Sequence, residues 1–88
     1  MALFLIEREF AEALDLDGDA VAGVIAVNDD ANVRWVYSFL SADKRKTYCL
    51  YEADNEEAIL EAARRNNLPA DLIVRVDQLR PEELLAAR

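Results

Sequence analysis

The middle of the chain constrains the fold most, because it predicts a β-hairpin. One strand and one helix are predicted on each side of this hairpin. Residues 33–40 are rich in aromatic and β-branched side chains, which favour a strand. The polar residues at 41–44 predict a tight reversal, and residues 46–52 alternate as a returning strand. The hairpin joins two halves of similar composition.

A strand and a helix precede the hairpin. Residues 2–10 alternate as a strand. One face of that strand carries Phe4, Ile6, Arg8 and Phe10. The turn at 17–19 offers an N-cap for a helix over 20–28. Its inward stripe is predicted to be Val21, Val24, Ile25 and Asn28.

A second helix and a fourth strand follow the hairpin. Asp54 and Glu57 have capping-box spacing, and the helix that they begin is predicted to end near Asn67. Residues 72–76 read as the last strand. Pro81 suits the first turn of a short C-terminal helix.

The order β-α-β-β-α-β predicts an α+β, ferredoxin-like fold. Two right-handed strand-helix-strand units interleave into a four-stranded antiparallel sheet, in which the first and third strands are central and the helices cover one face. With 88 residues, the chain is expected to form a single domain. We expect residues 1–79 to form the core fold and 80–88 a C-terminal helix or tail.

The face of the sheet without helices predicts a homodimer. The chain is 53% hydrophobic, more than the thin core of so small a protein needs. Two such sheet faces pack together in a dimeric α+β barrel, and a small ligand is expected to sit in the cavity between them. The side chains predicted to line that cavity are Arg8, Trp35, Tyr37 and Cys49.

Arg8 interrupts an otherwise apolar strand face. A buried guanidinium group needs either a carboxylate from the protein or a bound anion. The sequence leaves both a structural salt bridge and a ligand contact open. Cys49 is likewise read either as a buried, inert thiol or as a thiol whose pKa is lowered by nearby arginines.

Charge and composition exclude several classes of function. The net charge of −8 repels nucleic acids and anionic membrane surfaces, so neither is expected as a partner. One cysteine cannot form an internal disulfide, and no segment has the length of a membrane span, so we expect a cytoplasmic protein. The basic residues at 44–46 are interpreted as a protective charged strand edge.

The chain contains no histidine, which excludes Ser-His and Cys-His nucleophile pairs and imidazole metal sites. Carboxylates remain available. Glu7 and Glu9 lie on one side of the first strand. They are interpreted either as a carboxylate pair for acid-base chemistry or metal binding, or simply as the solvated end of the strand. The residues themselves leave any metal ligand undetermined.

Residues 33–53, reading VRWVYSFLSADKRKTYCLYEA, resemble the central block of a family of small bacterial ferredoxin-like domains. The resemblance extends to residues 4–10 and to 57–71, with EAARR and LPAD. It implies a dimeric α+β barrel, an association with nickel as the one possible cofactor, and no established catalytic activity. It supplies no metal ligand for this chain.

Three functions follow as hypotheses. The first is a small non-enzymatic binding protein, a homodimer whose intersheet cavity holds a small molecule or a metal ion. The second is a cofactor-free enzyme of the dimeric α+β barrel type, which confines a reactive substrate. The third is a regulatory module that binds another protein through its acidic surface or C-terminal helix.

Overall fold

The computed structural model describes all 88 residues and has the element order that the sequence predicts. The elements are β1 (Ala2–Glu9), α1 (Gly18–Asp30), β2 (Arg34–Leu40), β3 (Lys46–Ala53), α2 (Glu56–Arg65), β4 (Leu72–Val76) and α3 (Pro81–Ala87). The four strands form one sheet in the order β2-β3-β1-β4, and every neighbouring pair is antiparallel. The predicted α+β ferredoxin-like fold, with β1 and β3 central, is confirmed.

The core lies between one face of this sheet and the helices. Phe4 and Ile6 from β1 pack with Tyr51 from β3 and with Ile59 and Ala62 from α2. Ile6 and Ile59 are the largest side chains that are almost fully buried, at 0% and 1% exposure. The small alanines of α2 allow the helix to approach the sheet closely. Arg8 lies two residues after Ile6 on the same face of β1, so its side chain also faces the helices.

Both long helices end in the same way, with an asparagine in the left-handed region. Asn32 follows α1 with φ 59°, and Asn67 follows α2 with φ 54°. In each case, the N–H of the asparagine and the N–H of the residue after it donate back to the last turn, as in a Schellman motif. α2 thus ends at Arg65, slightly before the predicted end.

The helix starts were predicted with mixed success. Asp17 caps α1 as expected, because its carboxylate accepts from the N–H of Ala20 at 2.8 Å. The cap of α2 is Asn55, not Asp54. Ile25 of α1 was predicted to face inward but is exposed, and Asn28 is the buried residue of that helix.

The other face of the sheet is open and largely apolar. Leu5 lies at its centre, directly between Leu50 of β3 and Val74 of β4. Strand alternation adds further apolar side chains to this open face: Leu3, Tyr37, Phe39, Tyr48, Leu72 and Val76. Phe39 meets the Tyr37 ring edge-to-face, with 5.6 Å between the ring centroids, and is still 64% exposed.

The short helix α3 begins at Pro81, as predicted, and has no buried residue. Its Leu84 and Leu85, together with Leu79 just before it, are exposed. Of the three helices, none combines the length and the apolar character needed to cross a bilayer.

Truncating Ile59 is expected to destabilise the fold. Ile59→Ala leaves a cavity at the centre of the core, and we expect a loss of about 3 kcal/mol in the free energy of unfolding, measured with urea. Leu60→Ala, one residue along the same helix and 47% exposed, is the matched control and should change it by less than about 0.5 kcal/mol. Equal losses from both variants would contradict this packing of α2.

Candidate functional site

A pocket of about 350 Å³ opens on the helix-covered side of the sheet. Its floor is formed by β2 and β3, and its walls by the end of β1, α1 and residues 10–17. Nine of its fourteen lining residues are hydrophobic. The lining comprises Arg8, Phe10, Leu14, Asp15, Leu16, Val24, Trp35, Ser38, Leu40, Lys44, Thr47, Cys49, Tyr51 and Leu68. Leu14 and Leu16 were not predicted as site residues, because their only signal was two leucines in an irregular acidic segment.

Residues 10–17 are held over the pocket by the β2–β3 hairpin. The N–H of Phe10 donates to the carbonyl of Arg45 at 2.8 Å, and that of Leu14 to the carbonyl of Lys44 at 2.7 Å. The Arg45 side chain donates in turn to the carbonyl of Ala11 at 2.8 Å. Lys44 has a φ of 62°, a conformation that favours glycine. The hairpin tip therefore positions the wall of the pocket.

Arg8 is the one buried ionised side chain of the site, at 3% exposure. Its Nη1 donates to the carbonyl of Pro69, and its guanidinium carbon lies 5.8 Å from the centre of the Tyr51 ring. The ion pairs of the chain involve Arg34, Lys46, Arg64 and Arg65, and Arg8 is in none of them. The expectation of a structural salt bridge at Arg8 is therefore wrong.

The rest of the Arg8 guanidinium is available to a ligand. Its Nε and Nη2 donate to no protein group, whereas every fully buried side-chain nitrogen or oxygen has a hydrogen-bond partner. These two nitrogens are consequently not fully buried, and Arg8 is one of the residues that line the pocket. They lie on one side of the planar group, in the fork that binds a carboxylate through two parallel hydrogen bonds.

Behind Arg8, a buried polar chain ties both helices to the sheet. Asn66 Nδ2 donates to Asn28 Oδ1, and Asn28 Nδ2 donates to the Tyr51 hydroxyl, each at 3.3 Å. Burial raises the pKa of Tyr51 above its ordinary 10.0, while the hydrogen bond from Asn28 and the charge of Arg8 oppose that rise. The phenol therefore stays protonated in the fold at neutral pH.

The structure separates the four predicted cavity residues. Trp35 and Cys49 line the pocket with Arg8, but Tyr37 lies on the open face opposite Leu50. The cause is a bulge between Trp35 and Tyr37, which inserts Val36 and reverses the alternation of β2. The four residues therefore do not share one intersheet cavity, and three of them face the helices.

Trp35 and Cys49 are each fixed by a neighbouring hydroxyl group. The indole Nε1 of Trp35 donates to Ser38 Oγ at 2.7 Å, and its ring stacks at 6.4 Å on that of Tyr51. The Cys49 thiol is 5% exposed and donates to Thr47 Oγ1 at 3.5 Å. The single tryptophan of the chain thus reports on the pocket.

Glu7 and Glu9 lie on the open face, away from the pocket, with Lys46 between them. The Lys46 Nζ is 3.8 Å from a carboxylate oxygen of each, and the negative charge of Glu7 raises the pKa of Lys46. No group of three or more histidine, cysteine, aspartate or glutamate side chains is placed to hold a metal ion. The donors of a single chain therefore do not fit a nickel centre, which prefers imidazole nitrogens.

Tyr51 gives a prediction about alkaline pH. A phenol whose pKa is raised by folding contributes stability that is complete below about pH 10 and is lost as the pH rises through the folded pKa. The free energy of unfolding of the wild type should therefore fall more between pH 9 and pH 11 than that of Tyr51→Phe. Parallel curves for the two proteins would contradict the burial of this hydroxyl.

Comparison with known proteins agrees with this architecture. Residues 4–76 match the family described as "Nickel responsive protein SCO4226-like". The crystal structure of SCO4226 from Streptomyces coelicolor A3(2) superposes with a TM-score of 0.76 and 25% sequence identity, over 90% of this chain and 100% of that one. No curated protein sequence matches the chain. Together, the matched residues and the shared fold place this chain in the SCO4226-like family.

Proposed function

We propose that this protein is a non-enzymatic binding protein that works as a homodimer and holds a small molecule in the pocket beside Arg8. The observation that carries the proposal is the pocket itself. Its volume of about 350 Å³ is within the range of small-molecule sites, which extends from roughly 300 to 1,000 Å³. Like those sites, it combines a mostly apolar lining with a few polar groups.

Binding is proposed rather than turnover because the pocket lacks an activated nucleophile. Cys49 is the only thiol, and its hydrogen-bond partner is the hydroxyl of Thr47 rather than a general base. The Arg8 guanidinium group has hydrogen-bond donors only and no acceptor. These groups orient a ligand and exclude water from it.

The open face supports the homodimer. A two-fold interface brings the same surface of each copy together, so its charges must be balanced within one chain. Each cation on this face is already paired, Arg34 with Glu52 at 3.0 Å and Lys46 with Glu7 and Glu9. Although the chain carries a net charge of −8, this surface is close to neutral and apolar at its centre.

The nickel response in the family description is not carried into this proposal. A metal site would need donors that a single chain does not bring together. We therefore propose that the pocket binds an organic ligand and that the open face binds a second copy of the chain.

Native mass spectrometry of untagged protein, purified without added metal, tests both parts. We expect the mass of a dimer with a discrete organic adduct that is released on denaturation. A dimer that carries nickel ions instead of an organic compound would contradict the assignment of the ligand. A monomer would contradict the role of the open face.

A matched pair of leucines tests the interface in solution. Leu72 on the open face and Leu60 on α2 are 48% and 47% exposed. We expect Leu72→Glu to weaken the dimer at least tenfold, because it places a carboxylate on each side of the apolar interface next to Glu7. Leu60→Glu should leave the dimer unchanged. Size-exclusion chromatography with light scattering over a dilution series measures both, and equal behaviour would contradict an open-face dimer.

A further inference from the structure

We propose that the pocket selects a small organic monoanion, a carboxylate on an apolar body, whose charged head pairs with Arg8. This inference rests on the proposed function, since it names the class of ligand for the same pocket. The observation behind it is the buried guanidinium group of Arg8, which forms no ion pair within the chain.

The electrostatics of Arg8 favour an anion. Burial of a cation is costly unless an opposite charge and hydrogen bonds replace the lost water. Within the chain, Arg8 has the carbonyl of Pro69 and the face of the Tyr51 ring, both of which are neutral. An anionic ligand would supply the charge that is missing.

The geometry of Arg8 selects a carboxylate. Nη1 is held by the carbonyl of Pro69, whereas Nε and Nη2 are neither hydrogen-bonded within the chain nor fully buried. Those two N–H donors match the two oxygens of one carboxylate. A neutral ligand can use the same donors but cannot neutralise the buried charge.

The charges around the pocket limit the ligand to a single negative charge. Arg8 and Lys44 are the two cations of the lining and Asp15 is its one carboxylate, so the lining carries a net charge of +1. A dianion would exceed that charge and would also meet the field of a chain with a net charge of −8. The lining is therefore matched to a monoanion.

The remaining lining sets the size and character of the body. A pocket of about 350 Å³ holds roughly ten non-hydrogen atoms, if each occupies about the 30 Å³ of a water molecule in the liquid. Leu14, Leu16 and Val24 from the walls and Trp35 from the floor give that body an apolar surface. An eight-carbon carboxylate has this size.

Three probes with one tail and different heads test the inference: octanoate, 1-octanol and octylammonium. The fluorescence of Trp35, which lines the pocket, reports binding of each to the 88-residue chain. We expect octanoate to bind with a Kd at least tenfold lower than that of octanol, and octylammonium to bind most weakly.

Variants of Arg8 test whether its charge causes the preference for octanoate over octanol. Arg8→Gln removes the charge and should bring the two Kd values within about twofold of each other. Arg8→Lys keeps the charge without the fork and should keep only part of the preference.

Lys44→Asn removes the second cation at an exposed position that asparagine tolerates in its backbone conformation. It should weaken octanoate binding two- to threefold and leave octanol binding unchanged, even if the Arg8 variants fail to fold. Arg64→Gln, far from the pocket on α2, is the control and should change neither.

The outcomes separate this inference from the proposed function. Equal Kd values for octanoate and octanol in the wild type, or tighter binding of octylammonium, would overturn the anion inference and leave a ligand pocket standing. A preference for octanoate as large in Arg8→Gln and in Lys44→Asn as in the wild type would also overturn it. Failure of all three probes to bind would overturn the inference and the pocket function together.

Discussion

The central position of β1 in the sheet governs how Arg8 is placed. Because β1 pairs with β3 on one side and with β4 on the other, its alternation is fixed by two neighbours. The row of Phe4 and Ile6 must face the helices, and Arg8 follows in the same row. A one-residue shift would turn this row to solvent and break the core, so the fold cannot expose Arg8 without losing its packing.

The buried guanidinium group then organises the surrounding elements. Through Pro69 it holds the connection between α2 and β4, and through Tyr51 it contacts the polar chain that joins Asn28 of α1 to Asn66, which caps the end of α2. Both helix ends are in turn fixed by Schellman motifs. The site is therefore built mainly on β1, β2, β3 and α1, and its loop residues are those of segment 10–17, Lys44 at the hairpin tip and Leu68. That rigidity supports a binding role because little order has to be gained when a ligand enters.

Much of the fold could be predicted from the sequence, whereas only part of the site could. Alternation over residues 2–10 predicts the burial of Arg8, and the order of the elements predicts the sheet. The bulge at Val36 depends on how β2 registers with β3, a tertiary property without a local signal, and it separates Tyr37 from Trp35. Residues 10–17 have no periodicity either, since backbone hydrogen bonds to the hairpin tip place Leu14 over the pocket. The dimer and the ligand remain proposals.

The resonance of the Arg8 Nε–H group in ¹⁵N NMR spectra, assigned by its loss in Arg8→Lys, tests the central claim most directly. If this buried guanidinium group binds the ligand's charge, octanoate will shift that resonance and protect its proton from exchange with water, and octanol will have a much smaller effect on both. An Arg8 resonance that is unchanged when the pocket is saturated with octanoate would contradict the account.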